Sequence, residues 1–174
     1  MAKILIIYST TDGHTRSICE RLQNLVATQH DVLLVAMADE PNIDITPFDK
    51  VVIGASIRYG KHQKQVSNFI ASNQSALESR RNAFFSVNVV ARKPEKNTPE
   101  SNPYLQKFLK KIDWQPQSLA VFAGKIDYPR YGFVDKQMIR FIMWMTKGPT
   151  DPHAVVEFTD WTRVDDFSRV IADM

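Results

Sequence analysis

Five short apolar runs, at residues 4–8, 32–36, 51–55, 83–87 and 119–123, recur along the chain. Runs of that length without polar alternation belong to strands buried on both faces. Between them the apolar residues return at helical spacing: Ile18, Leu22, Leu25 and Val26, then Val66, Phe69 and Ile70, then Tyr104, Leu105 and Phe108, and finally Val164, Phe167, Val170 and Ile171. Strand and helix therefore take turns. That alternation predicts an α/β fold, a doubly wound five-stranded parallel sheet in the order 2-1-3-4-5 with helices on both faces. At 174 residues the chain reads as a single domain, 1–174, long enough to bury a core without staples. Its one cysteine, Cys19, excludes an internal disulfide and reads as a packed hydrophobe in the first helix. The four histidines are scattered without ligand spacing, so no metal is expected.

Such sheets bind ligands at the carboxyl ends of their strands, near the switch point between strands one and three. Strand one ends there in Ser9-Thr10-Thr11-Asp12-Gly13-His14-Thr15. The free N–H groups of a helix start carry a partial positive charge and receive a phosphate well. Ser9, Thr10, Thr11 and Thr15 add hydroxyl donors, and Gly13 permits close approach or a positive φ. No Lys-Ser or Lys-Thr follows the glycine as in a P-loop, and no G-x-G-x-x-G is present. The loop thus suits the phosphate of flavin mononucleotide, FMN, although the same residues also make an ordinary capped turn. The ends of strands three and four should flank the flavin ring with Ser56, Ile57, Arg58, Tyr59 and Gly60, and with Ser86, Val87, Asn88 and Val89. Tyr59 is the stacking candidate there, with a plain surface role as its alternative, while Asn88 and Ser86 serve either the ring edge or the turn. A phosphoacceptor domain would need Asp at the end of strand three, where Gly54-Ala55-Ser56 stands instead.

The net charge of +3 hides an uneven distribution, because residues 50–147 hold 17 Lys and Arg against 6 Asp and Glu. An anionic partner is implied. No helix-turn-helix, zinc finger or aromatic RNA-binding motif accompanies the charge, so nucleic acid is not expected. The apolar start after Met1-Ala2-Lys3 is too short for a signal peptide or a membrane span, which places the expected protein in the cytoplasm or on its membrane face.

About 35 residues separate strand five from the last helix, an insertion at about 125–159 that is far longer than a usual βα loop. Within it residues 133–147 have helical character. Val134, Met138, Phe141 and Met145 form one stripe expected to be buried, while Phe133, Ile139, Met143 and Trp144 fall on the other side among Lys136, Arg140 and Lys147. Such a helix wants a second apolar neighbour, whether a hydrophobic ligand, a partner subunit or a membrane interface, unless its own protein swallows it.

The segments 8–15, 52–60, 86–96 and 127–131 together resemble the flavodoxin-like, quinone-dependent protoporphyrinogen IX dehydrogenases of bacterial haem biosynthesis. The resemblance spans nearly the whole chain. Ala-Ser-Ile-Arg-Tyr-Gly and Asn-Val-Val-Ala-Arg-Lys-Pro are its specific motifs, and Thr11, His14 and Lys61 depart from it conservatively. It implies a flavodoxin-like fold and FMN-dependent oxidation of protoporphyrinogen IX with a membrane quinone, menaquinone or ubiquinone, as acceptor, at the cytoplasmic face of the bacterial inner membrane. Asp127 and Tyr128 join the expected cofactor contacts. Arg58, Arg92, Lys93, Arg130 and Arg140 are expected to meet substrate propionates or membrane phosphates, and Phe133, Met143 and Trp144 to touch the substrate or the membrane. A basic surround should also stabilise reduced flavin. The competing functions are a flavodoxin-type electron carrier and an NAD(P)H:quinone reductase.

Overall fold

The run Ile4-Leu5-Ile6-Ile7-Tyr8 can shed water on both faces only inside a sheet, and in the computed structural model, which describes residues 1–174, it forms β1 (Lys3–Ser9). In chain order there follow α1 (His14–Val26), β2 (Asp31–Ala36), β3 (Lys50–Arg58), β4 (Lys61–His62), α2 (Lys64–Glu78), β5 (Arg81–Asn88), α3 (Pro103–Leu109), β6 (Ser118–Ala123), β7 (Lys125–Asp127), α4 (Phe133–Met145), β8 (Val155–Glu157) and α5 (Trp161–Asp173). The five long strands are parallel in the order β2-β1-β3-β5-β6, which is 2-1-3-4-5 once the short β4 is set aside.

Alternate residues of these strands feed two cores, as the two-residue period of a strand requires. Leu5, Ile7, Val51, Ile53, Phe84 and Val121 pack under α2, α3 and Trp114 on one face. On the other, Ile4, Ile6, Val52, Phe85 and Phe122 pack under α1 and α5. Cys19 is buried in this second core, and burial pushes its thiol pKa up. Lys50 closes the structure at one end by donating from Nζ to the Ile171 and Ala172 carbonyls at 3.0 and 2.7 Å, where a helix C-terminus welcomes a cation.

Two features depart from the minimal pattern. After β3 the chain turns back at Tyr59-Gly60, with φ of 53° and 76°, and β4 pairs antiparallel to β3. Two successive positive φ values make a hairpin turn of the I′ kind, for which Tyr is a strained choice. The second departure is the long connection after β6. β7 and β8 pair antiparallel at its base, and α4 rests on a third small core of Ile126, Tyr128, Tyr131, Ile139 and Met143.

The rotation of α4 corrects the sequence expectation. Val134, Phe141 and Met145, three of the four residues read as the buried stripe, face outward, Met138 is half exposed at the edge of the inner side, and Ile139 and Met143 are buried instead. The first turn decides this, since Asp135 accepts hydrogen bonds from Arg58 and Tyr59 and so fixes which side turns inward. Phe133 at 79 % exposure and Trp144 at 70 % join the outward set, leaving one continuous apolar face.

Candidate functional site

The phosphate-type loop between β1 and α1 enters its helix through Gly13, at φ 91°, where a side chain would be strained. No side chain caps α1. The Gly13 N–H donates to Thr10 Oγ1 at 3.0 Å, which folds the loop and leaves the first-turn N–H groups directed into a cavity of about 180 Å³. Three buried side-chain atoms in the protein lack any hydrogen-bond partner: Thr15 Oγ1, Ser56 Oγ and the core atom Trp114 Nε1. Thr15 and Ser56 both line this cavity. Buried hydroxyls are almost always paired, so two orphans on one cavity wall mark a place built for a polar ligand.

Thr10, Thr11, Asp12, Gly13, His14 and Thr15 come together here with Ser56, Ile57, Arg58, Val87, Asn88, Val89, Asp127 and Arg130. Five expected cofactor contacts do not: Ser9, Tyr59, Gly60, Ser86 and Tyr128. Ser9 is buried with its hydroxyl donating to Gln63 Oε1 at 2.7 Å, and Ser86 points to the α2 side, where its Oγ meets His62 Nε2 at 3.0 Å. Ser86 lies between Phe85 and Val87, which face α1 and α5, so strand alternation sends it the other way. Tyr128 is fully buried beneath α4, its hydroxyl donating to the Pro149 carbonyl at 2.5 Å. Asn88 spends its amide on structure, since its Oδ1 accepts from the Ala91 N–H at 3.1 Å and from Asn102 at 3.0 Å. His14 reaches Thr159 Oγ1 at 2.6 Å; that hydroxyl already donates to the Ala123 carbonyl, which leaves the histidine Nε2–H as donor. Burial lowers the His14 pKa despite Glu157 at 3.8 Å.

A second cavity of about 510 Å³ adjoins the first and is predominantly apolar. Asp12, Ile57, Arg58, Asn88, Val89, Lys125 and Tyr131 line both, so they form a common wall. The far side is the inner surface of α4, with Met138, Ile139, Ile142 and Met143, and the rim carries Tyr59, Gly60, Arg92 and Tyr104. Tyr59 therefore belongs to the apolar cavity and not to the phosphate side. Its hydroxyl donates to Asp135, and the ring is 46 % exposed.

The basic surround expected from charge counting is largely cancelled at close range. Arg58 is bound by Asp12 and by Asp135 and lies 5.2 Å from the Tyr131 ring centre, while Lys125 sits 3.8 Å from Asp127. Arg92 donates to the Val89 and Thr146 carbonyls at 3.0 and 2.9 Å, and burial lowers its pKa. Arg140 lies outside both cavities and donates to the Thr150 carbonyl at 2.8 Å. Lys93, Phe133 and Trp144 line neither cavity. Tyr104, Lys125, Tyr131, Met138 and Ile142 are wall residues that sequence reasoning did not select. The nearest signal was the insertion at about 125–159, which carries Lys125, Tyr131, Met138 and Ile142; nothing in the sequence pointed to Tyr104.

A family described as a flavodoxin domain matches residues 5–153. The protoporphyrinogen IX dehydrogenase [quinone] of Escherichia coli (strain K12) is 45 % identical over 175 residues, 99 % of this chain and 96 % of that protein. A Leishmania major protein of the same name is 42 % identical over 172 residues, covering 98 % of this chain and 74 % of its own length. Among solved structures, a flavodoxin from the domain Archaea overlays with a TM-score of 0.56 at 12 % identity, covering 98 % of this chain and 96 % of that one, a likeness of fold alone. The chain belongs to the flavodoxin-domain family and, within it, to the family of the quinone-dependent protoporphyrinogen IX dehydrogenases.

Proposed function

We propose that the chain oxidises protoporphyrinogen IX to protoporphyrin IX and delivers the electrons to a quinone. The carrying observation is the pair of cavities with a common wall, one polar with orphaned hydroxyls and one apolar and larger. The cofactor is a flavin. FMN in particular fits a loop that offers hydroxyls and helix N–H groups to a single terminal phosphate, with Thr15 and Ser56 gaining the partners they lack. When bound, the flavin supplies two-electron acceptance, and three such rounds take the porphyrinogen to the porphyrin while three quinones become quinols.

The protein's own part is to bind, orient and exclude water. Met138, Ile142 and Met143 cover an apolar macrocycle, and Ile57 and Val89 in the common wall hold it beside the cofactor. Asp12 is the sole carboxylate on the larger cavity and already accepts from Arg58, so proton release goes to solvent and not to a dedicated base. The outward face of α4, with Phe133, Phe141 and Trp144 exposed beside Lys136 and Lys147, suits an anionic bilayer surface, where quinones dissolve. This face supports a proposed working site at the cytoplasmic face of the inner membrane.

An anaerobic assay tests the reading. Protoporphyrinogen IX and a quinone should yield porphyrin fluorescence, and the extracted chromophore should co-elute with FMN. Rapid NADPH oxidation without porphyrin would mark an NAD(P)H:quinone reductase, and neither activity would mark an electron carrier.

A further inference from the structure

A third cavity, of about 240 Å³, opens on the far side of the Tyr59-Gly60 turn. Its rim carries Lys61 from β4, Lys107 from the last turn of α3 and Lys111 from the turn that follows that helix. No Asp or Glu lines it, and none of the three lysines forms an ion pair or a side-chain hydrogen bond within the protein. Its floor is uncharged: Phe108 and Ile112 are apolar, and His62 is neutral because burial lowers its pKa to about 3. Three unpaired ammonium groups around an apolar floor ask for an anion attached to an apolar body.

The second and third cavities are neighbours. Gly60 and Tyr104 line both, and a Cβ on Gly60 would come 3.3 Å from the Tyr104 ring, so the divide between the cavities carries no side chain at position 60. The arginines near the second cavity are already engaged with Asp12, Asp135 or main-chain carbonyls. Among the cations that line the second and third cavities, the unpaired ones are therefore all in the third, and the inner surface of α4 lies at the other end.

Resting on the function proposed above, we infer that Lys61, Lys107 and Lys111 form the carboxylate subsite of the substrate. The two propionates of a type IX tetrapyrrole lie on one edge of the macrocycle. They reach past Gly60 to the lysines, the vinyl edge lies against Met138, Ile142 and Met143, and the bridging carbons that lose hydrogen rest over the common wall. The subsite thus sets the direction in which the ring enters. It also favours two carboxylates on one edge over porphyrinogens with carboxylates all round, since the opposite end is apolar.

The test is a fluorescence titration of the flavin-loaded protein with protoporphyrin IX and with its dimethyl ester, in which both carboxylates are masked. The unaltered protein should bind the diacid about tenfold more tightly, the size expected for three exposed charge contacts, and added salt should shrink the preference. The triple variant K61Q/K107Q/K111Q should bind both compounds alike, and the triple Lys→Arg variant should keep the preference. A Gln variant that still prefers the diacid overturns the subsite, as does an unaltered protein with no preference. Loss of binding to anionic vesicles with diacid preference intact also overturns it, by assigning the lysines to a lipid surface. Turnover separates the two readings. Normal porphyrin formation with an unmoved preference removes only the lysine subsite, whereas absent porphyrin formation removes the activity and the subsite with it.

Discussion

The Thr15 side chain is buried at the first turn of α1 with no partner for its hydroxyl. Leaving a buried hydroxyl unpaired costs about 1–3 kcal/mol. Thr15→Val keeps the shape and removes the orphan, so flavin-free protein should melt a few degrees higher. A hydrogen bond to a charged phosphate contributes about 1.5–3 kcal/mol, so the same variant should bind FMN at least tenfold more weakly by fluorescence quenching. Opposite signs in the two assays distinguish a ligand contact from a structural one. His62 yields a second expectation. Its pKa falls from an ordinary 6.5 to about 3 on burial against Phe84 and Phe108. The unfolded chain therefore binds the extra proton between those values, and stability is full above the higher one and lost as pH falls toward the lower. The slope from this one group is at most about 1.4 kcal/mol per pH unit. Denaturant unfolding between pH 6.5 and 4 should show it, and His62→Gln should flatten the dependence.

Among the elements, the parallel strands were legible because each is a continuous apolar run that no helix or loop can bury equally well. The β3–β4 hairpin was not, since Tyr59-Gly60 is not a recognisable turn pair and the positive φ at Tyr59 depends on Asp135, 76 residues away, accepting its hydroxyl. The length of α4 was readable from its period, but its rotation was not, because apolar residues occur all round it and only the Asp135 contacts choose the inner side. The directions of Ser9, Ser86 and Tyr128 depended on which sheet face or small core claimed them, which composition does not reveal. The C-terminus of α4 offers its own test. Lys147 sits at φ 60°, and the Gly148 N–H returns to the Met143 carbonyl at 2.7 Å, the pattern in which glycine is preferred at the left-handed position. Lys147→Gly should relieve about 1 kcal/mol of strain and slow hydrogen exchange in the last turn of α4. Unchanged or faster exchange would show that the lysine contributes more than its backbone costs.

At the scale of the whole molecule, the fold brings the residues that line the two adjoining cavities to one edge of one sheet. Phosphate loop, hairpin, β5 end and insertion come from four distant parts of the sequence, and the parallel register carries all of them to the same side. Arg58 ties three of these pieces together by holding Asp12 of the loop and Asp135 of α4 while capping the Tyr131 ring. The common wall between the polar and apolar cavities has a kinetic corollary. With a single apolar chamber beside the cofactor, electron donor and electron acceptor must occupy it in alternation, like two traffic streams at a single-lane bridge. Initial rates at varied concentrations of both should fall on parallel double-reciprocal lines, with accumulated porphyrin competing against the quinone. Intersecting lines would mean that a separate berth receives the acceptor.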